Sequence, residues 1–268
     1  MLNTLLPLAI ALAAVCTAMY LLWRVQKRTG NAGIVDVAWT FSVGALAVLF
    51  AAWPTDAAPA WLRVLVGVQY SVWSLRLGTY LYRRVVGHAE EGRYATLREK
   101  WGDDADRKML RFYQFQAVGA WVFALPALVV SRSPEPPAAA WVAASLLLWL
   151  LGIVGVALSD RQLEQFKADP NTSGKTCRRG LWRYSRHPNY FFEWLHWTSY
   201  VALSAASGYW WVSALVAFGL LYLVLFVTGI PPTEAQAVAR RGDDYRHYQK
   251  TTSAFVPWPP KASTESPA

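Results

Sequence analysis

The stretch AAWVAASLLLWLLGIVGVAL, residues 139–158, runs twenty residues without a charge or a proline. As a helix rising 1.5 Å per residue it is about 30 Å long, the thickness of the hydrocarbon core of a bilayer. Six further apolar stretches on either side predict spans at 2–23, 33–53, 60–82, 109–130, 189–206 and 209–229. The first begins without the positive residues of a signal peptide and runs too long before its first charge, so it is read as a retained span. Little more than Ser207-Gly208 joins the last two, which must form a tight antiparallel pair.

Composition agrees. Of 268 residues, 54% are hydrophobic and 16% charged, where a soluble domain carries roughly a quarter charged residues. Mean hydropathy is +0.20 over the whole chain. A soluble globule and a disordered chain are both excluded. Cys16 and Cys177 cannot make a disulfide framework, and the four histidines show no metal-ligand spacing, so no metal is expected. The expectation is an all-α polytopic membrane protein of seven transmembrane helices, occupying 1–260, with a disordered tail at 261–268.

The basic residues orient it. Segments 24–32, 83–108, 159–188 and 230–268 hold 22 of the 26 Lys and Arg, while the segments between the alternate span ends, 54–59, 131–138 and 207–208, hold only Arg132. By the positive-inside rule the N-terminus is outside and the C-terminus cytoplasmic. The net charge of +9 then reflects topology and contact with membrane lipid, and no nucleic acid is implied. The basic loops are also the long ones, which places function at the cytoplasmic face.

Ionisable groups inside spans are costly and mark function by default. Asp36, Arg76, Tyr80, Asp160 and Glu193 come from four different spans yet fall at similar depth in the inner leaflet, as a cavity open to the cytoplasm requires. Taken singly, each is equally well explained as a structural pair. Arg63 and Arg111 lie near span ends, where they can snorkel.

The sharpest local pattern is Arg186-His187-Pro188-Asn189-Tyr190, with Glu193 following on the first turns of a helix. Pro188 suits a first helical turn. The free amides there, beside Arg186 and His187, suit a phosphate or carboxylate. Lys175, Arg178, Arg179 and Arg183 add charge upstream, a pattern that also fits lipid headgroups. Gly92-Arg93-Tyr94 and the tail Arg240-Arg241-Gly242-Asp243-Asp244-Tyr245-Arg246-His247-Tyr248 read either as interfacial helices or as a lid that clamps phosphates. No G-x-G-x-x-G after a strand and no P-loop is present, so any cofactor would sit among the helices.

Arg-His-Pro-x-Tyr before a late span recurs in membrane sterol reductases and in isoprenylcysteine and phospholipid methyltransferases. Together with Val35-Asp36-Val37-Ala38-Trp39, Trp73-Ser74-Leu75-Arg76-Leu77, Ser159-Asp160-Arg161-Gln162 and Ser253-Ala254-Phe255-Val256-Pro257-Trp258, it resembles a bacterial member of the steroid 5-alpha-reductase family (the 3-oxo-5-alpha-steroid 4-dehydrogenase group) over nearly the whole chain. The resemblance implies NADPH held by Arg76, Arg93, Asp160, Lys167, Lys175, Arg186, His187, Asn189, Tyr190, Glu193, Arg240 and Tyr245. It also implies an apolar, steroid-like enone drawn from the bilayer past Trp39 and Trp73, and a monomer in the bacterial inner membrane. The Gln-Glu pair of the animal enzymes is absent from span 2, where Asp36 is the nearest acid. Reducing an enone requires a donor at the carbonyl oxygen while hydride reaches the β-carbon. A protonated Asp36, assisted by Tyr80 or Tyr70, would serve. The competing readings are an S-adenosylmethionine-dependent membrane methyltransferase and a non-enzymatic transporter or lipid-binding scaffold.

Overall fold

The apolar run at 139–158 lies in α6 (Ala139–Ala168), whose 30 residues make it the longest helix. The computed structural model describes residues 2–261 apart from 56 and 91, with side chains from Leu6 on; the expected tail at 261–268 lies almost wholly outside the described residues. Before α6 come α1 (Leu2–Thr29), α2 (Ile34–Ala52), α3 (Ala60–Val85), α4 (Gly92–Trp101) and α5 (Ala105–Ser131). After it come α7 (Pro188–Leu203), α8 (Trp210–Tyr222), a π-helical turn over Leu223–Val227, α9 (Ile230–Arg241) and α10 (Asp243–Thr251). No strand occurs among the described residues.

The helix ends follow local chemistry. Lys27 and Arg28 complement the dipole at the end of α1, and Gly30, at φ 71°, takes the left-handed conformation that stops it. Pro59 precedes α3 and Pro188 opens α7. Arg63 lies beside the end of α2. Its guanidinium caps the preceding helix, donating to the carbonyls of Ala51 at 2.8 Å and Ala52 at 3.1 Å, which satisfies acceptors that a helix C-terminus leaves open.

Five stretches are long and apolar enough to cross a bilayer: Leu6–Thr29, Ile34–Ala52, Gly92–Ser131, Ala139–Ala168 and Trp210–Arg241. In the last of these the apolar part is α8 with its π turn. Beyond it, α9 begins Ile230-Pro231-Pro232 and carries Glu234, Arg240 and Arg241, so it reads as lying outside the hydrocarbon. The expected spans at 60–82 and 189–206 are helical as α3 and α7, but fall outside this set. Arg63, Arg76, Arg83 and Arg84 dilute the first. The second has 16 residues, about 24 Å.

The chain forms two compact units, one running to Pro136 and including Ala206–Val212, the other comprising Pro137–Ala205 and the chain from Ser213 on. In the first, α2 packs against both α3 and α5, and α1 lies along α5. Ser74 Oγ of α3 donates to the Thr40 carbonyl of α2 at 3.0 Å. In the second, α6 packs along α7, and α9 contacts α10 and the π turn. The outward face of α6 carries Leu147, Leu150, Val154 and Leu158, all exposed, and that of α8 carries Leu215 and Phe218. Such faces suit lipid rather than water.

Close approach of α6 and α7 depends on glycine. A Cβ at Gly152 would stand 2.7 Å from the His196 nitrogen and 2.8 Å from its Cα, backbone that cannot turn aside. Gly152→Ala is therefore expected to destabilise the protein by about 1–3 kcal/mol. Gly219→Ala, where a Cβ meets nothing within 4 Å, is expected to be neutral. Melting temperatures of the two variants in detergent provide the check; equal values would refute the close packing.

Candidate functional site

Two polar constellations stand out, one in each unit. In the first, α3, α5 and the segment between α3 and α4 hold the N-terminus of α2. Tyr113 of α5 donates to the Ala32 carbonyl at 3.0 Å. Asn31 Nδ2 reaches the Val85 carbonyl of α3 at 3.2 Å, and its Oδ1 accepts from the Gly33 amide. Glu90 accepts from the Ala32 amide at 2.7 Å and pairs with Arg98 of α4 at 3.0 Å. Arg98 in turn donates to Gln26 of α1.

Asp36 lies in the first turn of α2, where the helix dipole favours an anion. Its Oδ2 accepts from Arg93 Nη2 at 2.7 Å and from Tyr94 Oη at 2.8 Å. The Arg93 guanidinium lies 4.6 Å from the Tyr94 ring centroid and donates to its hydroxyl. Tyr94 is wholly buried, edge-on to Phe112, whereas the Arg93 side chain is 52% exposed and that of Asp36 22%. The three form a chain of donors and acceptor running from the interior to an open cation.

Arg76 and Tyr80 lie in this unit on α3, both partly buried. Tyr70 is fully buried and donates to the Phe123 carbonyl at 2.9 Å. Trp39 meets Trp73 edge-on at 6.1 Å and Phe123 at 5.4 Å, so the two tryptophans expected to face substrate form one aromatic cluster.

In the second unit Glu234 is the hub. Arg186 Nε donates to its Oε1 at 2.6 Å, His187 Nε2 lies 3.2 Å from the same oxygen, and Gln249 donates to Oε2 at 2.7 Å. Arg186 also donates to the carbonyls of Gln249 and Thr252, and its amide to the Ser253 carbonyl at 2.8 Å. Ser185 Oγ donates to the Phe255 carbonyl. Burial opposes the charge on Glu234, but the bonds from His187, Arg186 and Gln249 outweigh it and bring the pKa down to about 2. Arg186 and His187, expected at a cofactor, thus bind the chain's own tail. Tyr190 stacks on His187 with ring centroids 5.3 Å apart, and Tyr245 reaches Glu234 at 3.4 Å.

Asn189 Oδ1 accepts from the Tyr190 amide at 3.0 Å. Glu193 accepts from Trp197 Nε1 at 3.2 Å. Asp160 is partly buried on α6; Lys175 and Arg240 are exposed. Lys167, Arg179 and Arg241 share one neighbourhood: burial raises the pKa of the Cys177 thiol, against the charges of all three. Arg241 lies 4.8 Å over the Tyr245 ring and Arg179 5.7 Å over Phe166. A set of cations backed by aromatic faces can receive the phosphates of a dinucleotide. Asp244 accepts from the Thr176 amide at 2.8 Å and from Arg178 at 2.6 Å.

The sequence reading passes over Glu90, Glu234 and Gln249, and it places Tyr94 beside Arg93 without linking either to Asp36. Glu234 carries no signal beyond being an acid in a basic tail.

The fold and its apolar helices define a multi-pass helical membrane protein. The chain belongs to the DUF1295 family, described as a protein of unknown function, whose model matches residues 22–252. No curated protein and no solved structure matches it.

Proposed function

We propose that the chain is an NADPH-dependent membrane reductase of the carbon–carbon double bond of 3-oxo-4-ene steroids or similar apolar enones. It spans the bacterial inner membrane seven times as a monomer, with its N-terminus outside and its C-terminus cytoplasmic. Alternation of connections rich in Lys and Arg with connections that hold only Arg132 supports the orientation. At 26 residues, α3 is long enough to be a span despite its arginines.

The observation that carries the reading is the Asp36–Arg93–Tyr94 constellation, together with the resemblance of the surrounding motifs to the steroid 5-alpha-reductases. Roles are assigned unit by unit. In the first, Asp36 acts as acceptor rather than as the protonated donor expected from its apolar setting. It holds Arg93, and the half-exposed guanidinium is the group that meets negative charge growing on a substrate carbonyl oxygen. Tyr94 fixes the pair from inside, the assisting role otherwise divided between Tyr80 and Tyr70. Tyr70, bound to the Phe123 carbonyl, receives no part in it.

In the second unit, Lys167, Arg179 and Arg241 would hold phosphates, and Asn189 and Glu193 the nicotinamide amide. NADPH, when bound, supplies the hydride. The cation set favours NADPH over NADH because a 2′-phosphate adds two acceptor charges.

Purified protein is to be titrated with NADPH, NADH and S-adenosylmethionine in parallel, then assayed with testosterone or progesterone. The expected result is NADPH binding and 5-alpha-reduced product. Lys167→Ala with Arg241→Ala should weaken NADPH about tenfold or more and NADH less. Binding of S-adenosylmethionine alone would transfer the same residues to a methyltransferase, and binding of none would defeat the enzymatic reading.

A further inference from the structure

We infer that the second unit carries a binding pocket for the phosphate of an anionic phospholipid headgroup, formed where the 178–183 loop, α10 and the tail meet. The pocket is an open basin of about 390 Å³ lined by Arg178, Arg183, His247, Thr251, Pro260 and Lys261. No carboxylate lines it. Arg178 is held by Asp244, at 2.6 Å, while Arg183 and Lys261 are exposed and make no ion pair among the described residues. The Lys261 amide donates to the Thr251 carbonyl at 2.9 Å, which pins the tail against α10 and sets Lys261 at the rim.

Asp244 offsets the charge of Arg178, but Arg183 and Lys261, with no ion pair among the described residues, leave an excess of positive charge that favours an anion. Guanidinium and ammonium groups match the oxygens of a phosphate.

Exposed aromatics on the neighbouring surface identify the source of that phosphate. Trp258 is 69% exposed, Val256 51% and Tyr184 40%, and the Trp258 amide donates to the Tyr184 carbonyl at 2.9 Å. Tyr184 adjoins Arg183, and Trp258 lies three residues before Lys261. An exposed tryptophan and tyrosine beside a basic pocket, on a protein with apolar membrane-crossing helices, is the arrangement found at headgroup level. A pocket for free phosphate or a soluble dinucleotide has no use for neighbouring aromatics held in water. The residues used here are separate from Lys167, Arg179 and Arg241, so the inference does not depend on the reductase reading.

The test titrates dioctanoyl phosphatidylglycerol onto the full-length protein in uncharged detergent, with dioctanoylglycerol, inorganic phosphate and NADPH in parallel. The phospholipid should bind, and the phosphate-free diacylglycerol should not. Arg183→Ala with Lys261→Ala should weaken the phospholipid about tenfold or more, and Arg183→Lys with Lys261→Arg should restore most of it. Unchanged melting of the ligand-free variants confirms that the fold is intact. Equal phospholipid affinity in the alanine variant would overturn the inference. So would inorganic phosphate binding as tightly as the phospholipid, or loss of NADPH binding in the alanine variant with the phospholipid unaffected.

Discussion

Arg186→Ala is expected to destabilise the second unit by about 3 kcal/mol or more, the largest stability effect of any single substitution considered. The side chain is 10% exposed and its partner Glu234 14%. Truncation leaves a nearly buried carboxylate without its guanidinium, and breaking one side of such a pair costs about 3–5 kcal/mol. It also strips donors from the carbonyls of Gln249 and Thr252, which weakens the attachment of α10 and the tail that the Gln249–Glu234 and Ser185–Phe255 bonds retain. Arg186→Lys should recover only part of the loss, because an ammonium cannot span the carboxylate and both carbonyls at once. Thermal melting and limited proteolysis of the 242–261 region provide the measurement; a wild-type melting temperature would refute the clamp.

Acid tests the same hub. Glu234 falls from an ordinary value of 4.5 to about 2 in the folded protein. A lowered carboxylate contributes stability that is present above pH 4.5 and is lost as pH falls toward 2. Asp244, lowered in the same direction chiefly because the Thr176 and Arg178 interactions outweigh burial, adds to it. Melting temperature should therefore be flat near neutrality and drop below about pH 4.5, with a shallower drop in Arg186→Ala. A flat profile down to pH 3 would show that the carboxylate is not held as an anion.

For Asp36→Asn the expected result is a fall in kcat of about 100-fold with NADPH affinity retained. The amide can still accept one hydrogen bond, but the charge that holds Arg93 at 2.7 Å is gone, and a misplaced donor at a developing oxyanion costs about 10²–10³. Tyr94→Phe should reduce turnover less, since Arg93 keeps its ion pair. Steady-state turnover of a 3-oxo-4-ene steroid, with equilibrium NADPH titration beside it, separates the roles. If cofactor binding disappears with activity, Asp36 is structural; if turnover is unaffected, the constellation has no part in the reaction.

Much of the architecture was legible in the chain. Apolar length is a local property, so the run at 139–158 and its neighbours predict helices directly, and Gly30, Pro59 and Pro188 mark boundaries by their own backbone chemistry. That Asp36, Arg93, Arg186 and His187 need polar partners was also legible, because charges beside or within apolar runs are costly alone. What they touch was not. Asp36 meets Arg93 across 57 residues and Tyr94 across 58; Arg186 meets Glu234 across 48.

By itself, then, the sequence determined a helical, membrane-embedded chain with basic connecting segments, since hydrophobic transfer depends on composition summed along a segment. The tertiary structure brings Arg186 and His187 onto Glu234 and the tail, sets Arg63 at the end of α2, and seats Asp36 against Arg93 and Tyr94. A charge away from water takes whichever partner the packing of other helices brings within about 3 Å, and no pattern along one segment encodes that choice.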